Sequence, residues 1–257
     1  GIYKSLNCGI GSRDNKNIVR KNLNSVCKKI KCNTNKLILM NQTHSNNFKF
    51  VCSLKKTRGQ KINSDALITN MKGICLGVLT ADCVPILIFD KRKEIISIIH
   101  AGWKGAYKGI IKKVVGYLLS NGSESKNLLA VIGPSISQQS YEIKKDFKSK
   151  FLKQSEKNEI FFKNVRNKTY FSLKKYVQFQ LKSLKIEEID IIDKDTYNSK
   201  NNFTRSEIIT GRRVKPMNSL GFSLGLTQSQ WPWRFCRRSD ANSLPPLESM
   251  NIHWLSL

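Results

Sequence analysis

Residues 73–105 read GICLGVLTADCVPILIFDKRKEIISIIHAGWKG, and this stretch decides the fold. Three runs, 74–79, 84–89 and 94–99, are rich in Ile, Leu, Val and Phe and are parted by polar residues at 80–83 and 90–93. Short apolar runs with β-branched enrichment and polar breaks are the signature of buried strands. Asp82 and Pro85 interrupt the longest apolar run, 73–90, so it fails as a membrane span of roughly 20 apolar residues. Immediately downstream, Tyr107, Ile110, Ile111, Val114, Val115, Leu118 and Leu119 recur with helical period up to Asn121 and Gly122. This predicts the clearest helix of the chain.

Working outward, Asp14 is placed to cap a helix with Val19, Leu23, Val26, Cys27 and Ile30 on one face. Further strands are predicted at 37–40, 48–54, 65–69, 128–132 and 188–192, and further helices at 141–153 and 172–184. The alternation makes one mixed α/β domain with at least six strands. The chain has 257 residues, 40% of them hydrophobic, enough to bury a core and to exclude intrinsic disorder. Seven cysteines at irregular spacings do not make a disulfide scaffold; free thiols in a reducing, cytoplasmic setting fit better.

The formal net charge of +27 invites a nucleic-acid partner. Its distribution weighs against one. Of the lysines, 33 lie within residues 1–200 and only Lys215 lies after them, spread among Asn and Ile with no aromatic-basic motif. Trp231, Trp233 and Trp254 fall in the last 27 residues, which follow no helical or alternating period. We therefore read 213–257 as an atypical tail, non-native or disordered. The start at Gly1, with no signal-like stretch, is read as processing or as a fragment.

His44 and His100 each stand at the end of a strand-like run, in NQTHS and HAGWKG, and Cys83 sits in the polar break TADCVP. Two histidines and a cysteine suit Zn²⁺ with the fourth tetrahedral position open, as in catalytic sites. Taken singly, each residue is more often a buried thiol or a hydrogen-bonded structural imidazole than a ligand. Cys8, Cys27, Cys32, Cys52, Cys75 and Cys236 are read as small hydrophobes.

The segments NQTHS, DALITN, GICLGVLTADCVPILIFD, IIHAGWKGAYKGI and IGPSISQQSYEI, together with the earlier SLNCGIGSRDN, resemble in order and spacing the signatures of the bacterial polyphenol oxidase or laccase-domain family. Members of that family are regarded as zinc-dependent purine nucleoside phosphorylases with adenosine deaminase activity. The resemblance covers about residues 1–212. It implies an α/β/β/α layered sandwich, with metal ligands at His44, Cys83 and His100 and purine nucleosides and phosphate as partners. It also matches Asn7, Gln42 and Asp65 to family positions, here read as substrate-binding, and Asp82 to the acid before the ligand cysteine, read as a proton shuttle.

Arg13, Lys104 and the amides of residues 102–105, at the start of the strongest helix, are candidate phosphate binders, and Trp103 and Tyr141 candidate purine stackers. Lys104 replaces an arginine usual in the family, Ser140 a frequent cysteine and Asp195 a usual cysteine. The family's "f.tr.GGvS" segment is missing ahead of residue 6, and 201–213 match its late motif loosely. The alternatives are a copper-dependent polyphenol oxidase and a basic nucleic-acid-binding protein with a structural metal site.

Overall fold

The computed structural model describes residues 6–54 and 62–197 and the backbone of two later strands, Phe222–Thr227 and His253–Trp254. The elements follow in the order α1 (Lys16–Lys29), β1 (Leu37–Leu39), β2 (Phe48–Phe50), β3 (Ala66–Thr69), β4 (Cys75–Thr80), β5 (Val84–Asp90), β6 (Ile95–Ala101), α2 (Trp103–Tyr107), α3 (Ile110–Ser120) and β7 (Leu128–Ile132). Then come β8 (Glu142–Ile143), α4 (Lys145–Gln154), β9 (Phe162–Val165), β10 (Lys168–Phe171), α5 (Leu173–Ser183), β11 (Glu188–Ile191), β12 (Phe222–Thr227) and β13 (His253–Trp254).

Strands β5 and β6, both from the opening stretch, lie at the centre of a six-stranded mixed sheet ordered β11-β7-β5-β6-β3-β2. Strand β4 enters a second sheet, ordered β1-β4-β12-β13. Every residue of β5 is buried, because both faces of that strand are covered. One face packs Ile86, Ile88, Ile99 and Ala130 against Ile111, Val114 and Val115 of α3 and Val177 and Leu181 of α5. The other packs Leu87, Phe89, Ile96 and Ile98 against Ile38, Leu76 and Val78 of the second sheet. Beyond that sheet, Val26 of α1 and Ile30, which caps the end of that helix, meet Cys75. The layers thus run helix, sheet, sheet, helices: the α/β/β/α sandwich.

Several local expectations are corrected. Asn15, not Asp14, caps α1, its side chain accepting from Asn17 N at 2.9 Å, while Asp14 accepts from Asn7 and from Asn15 N. The long helix expected from Tyr107 is broken, because Gly109 takes a left-handed φ of 80° and separates the five-residue α2 from α3. The amides of 102–105 therefore do not begin the strongest helix. The helix expected at 141–153 begins at Lys145, its first residues forming β8. A hairpin absent from the sequence reading joins β9 to β10 through Arg166 and Asn167, both at positive φ, as a two-residue primed turn requires. Its strands are short and mostly exposed, so their apolar pattern is weak. The tail expectation for 213–257 and the motif at 201–213 lie outside the described residues, apart from β12, antiparallel to β4, and β13.

Candidate metal centre

The β5–β6 register pairs Val84 with Ala101 and Pro85 with His100. Cys83 and Gly102 therefore face each other where the two strands end. His44 arrives from the loop after β1 in a left-handed conformation, φ 56°. That conformation costs a non-glycine residue about 1–3 kcal/mol and persists only where its surroundings hold it. The ligand atoms of His44, Cys83 and His100 all lie within 4.8 Å of one another, and Cys83 Sγ is 3.7 Å from His44 Nε2. Tetrahedral zinc with its usual bond lengths separates a nitrogen from a sulfur ligand by about 3.5 Å. Donor types and spacing fit a Zn²⁺ ion with one position left over.

Gly102 makes this approach possible. A Cβ there would lie 2.8 Å from His44 Cδ2 and 3.0 Å from Cys83 Sγ. At Gly105 the same atom would stand 2.8 Å from the Ser45 carbonyl oxygen. Both glycines of HAGWKG are thus needed for the close packing of the 44–45 loop on α2.

Asp65, fully buried at the mouth of β3, holds the group together. Its carboxylate accepts from the backbone N–H groups of Thr43, His44 and Ser45 and from the hydroxyls of Thr43 and Ser45. Asp65 Oδ1 also lies 2.8 Å from His100 Nδ1. An ionised carboxylate only accepts, so Nδ1 carries the proton and Nε2 is left as the ligand atom. Burial alone would raise the Asp65 carboxyl; the bonds from His100 and Ser45 prevail and hold it well below the usual carboxylate range. Burial likewise disfavours the Cys83 thiolate, but the His100 charge and hydrogen bonds from His100 and His44 pull the thiol down to about 6. His100 shows the converse: burial opposes its charge, yet Cys83 and Asp65 hold it up at about 9.

The other sequence candidates divide. Gln42 is close but occupied, since its amide clamps the Leu79 backbone through Nε2–O at 2.5 Å and N–Oε1 at 2.9 Å. Asp82 lies 3.5 Å from the Thr196 hydroxyl, while its carbonyl accepts from Ile136 N. The Tyr141 phenol is raised by burial and by the charges of Cys83 and Asp82. Tyr141 and Trp103 both pack on Phe147. Lys104 is exposed, its Nζ 5.6 Å from the Trp103 ring centroid, and Lys150 stands 5.4 Å from that ring. Asn7 bonds Ser12, Asp14 and Gly9 N within its own turn, and Arg13 is exposed on that turn. Glu142 pairs with Lys168 at the surface.

Asp195 accepts from the hydroxyls of Ser137 and Ser140, each at 2.7 Å, so the two departures from the family pattern are bonded to each other. The sequence assigns no role to Thr43 or Ser45, and for Gly102 it suggests only an amide for phosphate. The T and S on either side of His44 and the G after HA are visible, but nothing in spacing says that they meet Asp65 and Cys83.

With this geometry in view, residues 1–217 match the model of the family described as multi-copper polyphenol oxidoreductase laccase, and the chain belongs to that family. A purine nucleoside phosphorylase of Rickettsia conorii is 35% identical over 163 residues, 63% of this chain and 66% of that protein. One of Bacteroides thetaiotaomicron is 33% identical over 160 residues, 60% of this chain and 59% of that protein. The chain thus spans somewhat less than two thirds of the length of these relatives. Among solved structures, the hypothetical protein YfiH of Bacillus licheniformis superposes with a TM-score of 0.70 at 25% identity, over 75% of this chain and 76% of that one. YlmD of Geobacillus stearothermophilus shares the fold with a TM-score of 0.74 at 21% identity, over 80% of each chain.

Two outcomes follow. Gly102→Ala should weaken zinc binding by at least about tenfold, the scale seen when supports of metal ligands are disturbed, in a calorimetric titration of protein whose circular dichroism is unchanged. In metal-free protein, alkylation of Cys83 should be fast above about pH 6 and be lost as the pH falls through that value, because the thiolate is the nucleophile. His100→Ala should move that transition up toward the ordinary thiol range.

Proposed function

We propose that the chain is a zinc-dependent purine nucleoside phosphorylase of broad specificity that also deaminates adenosine. The observation that carries this reading is the convergence of His44, Cys83 and His100 around one position, in a family whose relatives include proteins named purine nucleoside phosphorylase. Bound zinc would supply a Lewis acid and lower the pKa of water for attack on the purine.

The protein's own groups do the rest. Asp65 fixes the His100 tautomer and the His44 loop, so that no ligand has to be reorganised when substrate enters. Asp82, one residue before Cys83, is assigned the proton that must reach the departing ammonia in deamination. In phosphorolysis the bond from C1′ to the base nitrogen breaks, a bond from C1′ to a phosphate oxygen forms, and the base leaves with a proton. Lys104 is the cation nearest the group in sequence and, with Arg13, is assigned to phosphate. As a lysine it acts as a point charge, without the bidentate fork of arginine. The aromatic face of Trp103 and Tyr141 is assigned to the purine edge of the site; Gln42 and Asp65 act through the Leu79 backbone and the 43–45 loop that they hold, and Asn7 is assigned to substrate on its family position alone.

The family description favours copper and phenol oxidation as the second reading. Reduction of O₂ to water by copper calls for several centres, and the described residues form one His/Cys group of this kind. Zinc-loaded protein should convert inosine and phosphate into hypoxanthine and ribose 1-phosphate, and adenosine into inosine. His44→Ala should lower both rates at least about a hundredfold, or about 2.7 kcal/mol of barrier. Phenol oxidation by the copper-loaded protein with no purine turnover would overturn the proposal. So would tight, salt-sensitive nucleic-acid binding, unaffected by His44→Ala, in a protein inert toward nucleosides.

A further inference from the structure

Helix α1 ends in a Schellman motif. Lys31 takes a left-handed φ of 49°, Lys31 N donates to Lys28 O at 3.2 Å, and Cys32 N donates to Cys27 O at 2.8 Å. In this motif the side chains three residues before the cap and two after it meet, commonly as a hydrophobic contact. Here both are cysteines. The bonded oxygen lies about 2.4 Å from its own Cα and the bonded nitrogen about 1.5 Å from its own, so the two Cα atoms are confined to within about 6.7 Å, inside the range that disulfides span.

Cys32 packs, partly exposed, against the buried cluster that holds Cys8, Val26, Ile30 and Cys75 at the start of β4. Cys8, Cys27 and Cys75 are buried, whereas Cys32 is partly exposed. The hydrogen bond from Cys27, then that from Cys75, and the charge of Lys36 hold the Cys32 thiol below its ordinary value despite burial. The same bond pushes Cys27 up. Cys32 is therefore the accessible sulfur of the pair, its Sγ 3.3 Å from the Asn33 carbonyl oxygen, and Cys27 the buried one.

We propose that Cys27 and Cys32 form a reversible thiol–disulfide site, with Cys32 as attacking thiolate and Cys27 as resolving thiol, whose reaction partner is a low-molecular-weight disulfide. The Cys32 thiolate attacks one sulfur of the reagent; the reagent's S–S bond breaks, a mixed disulfide forms and one thiolate leaves. Cys27 then gives up its proton and attacks the Cys32 sulfur, which expels the second thiolate. The protein is oxidised by two electrons and the reagent is reduced to two thiols. A low thiol pKa raises the thiolate fraction at neutral pH while lowering its intrinsic nucleophilicity only partly, so exchange starts at Cys32. The product would fasten the end of α1 across its own cap, with no strand displaced, and the site is independent of the metal group and of the function proposed above.

The full chain incubated with oxidised glutathione, quenched in acid, alkylated and digested should yield a peptide in which Cys27 and Cys32 are joined. Both should be lost from alkylation together and faster than the exposed Cys52, and both recovered with dithiothreitol. Cys27→Ser should stop at a glutathione adduct on Cys32. Exchange that modifies Cys52 but leaves Cys27 and Cys32 free, or a wild-type chain that accumulates the Cys32 adduct without closing onto Cys27, would overturn the proposal. The wild-type experiment alone distinguishes these results, so it does not depend on either variant folding.

Discussion

One buried carboxylate organises the site. Asp65 is fully buried in a chain of high positive charge, and it stays ionised because every direction it faces supplies a donor. An unpaired carboxylate in that position would be prohibitively costly. The loop through His44 has therefore little freedom: its amides must reach Asp65, and that requirement sets the left-handed turn and aims the imidazole. His100 is tied to the same oxygen and, through its own N–H, to the Asp65 carbonyl oxygen at 2.7 Å. A single side chain thus couples two of the three candidate ligands to the edge of the central sheet.

The third ligand is placed by strand register alone. Because β5 and β6 are antiparallel neighbours, the residue before β5 and the residue after β6 meet, and they can meet closely only if one of them lacks a side chain. Gly102 meets that condition. The sandwich matters here because it buries both faces of β5 and β6, which removes the slack that would let the two strand ends drift apart. Precise placement of a site at strand ends is what a doubly covered sheet supplies, while the loops around it carry the chemistry.

Much of this was legible in the sequence. The central strands show as apolar runs because a strand covered on both faces has no alternation to blur it. His44, Cys83 and His100 stand out because each is a polar break at a run's end. What was hidden depends on long-range pairing. Asp65 read as one more family position, since the six donors that define its role come from residues 43–45 and from His100. The periodicity of 107–119 predicts one helix, and only the left-handed Gly109 shows the break. The β9–β10 hairpin was missed because exposed short strands carry little apolar signal. The lysine excess, prominent in composition, leaves most of its charges on the surface and takes no part in arranging the ligands; its local trace is Lys104 and Lys150 flanking Trp103.

The claim that Asp65 preorganises the group is tested most directly by the zinc affinity of Asp65→Asn, a near-isosteric change that removes the charge and half of the accepting capacity. With stability followed in parallel, the account expects one zinc per wild-type chain and a loss of about 10- to 100-fold in affinity for the variant, the usual consequence of removing a carboxylate behind a ligand histidine. Equal affinity of the two proteins, or a wild-type chain that takes up no stoichiometric zinc, would contradict it.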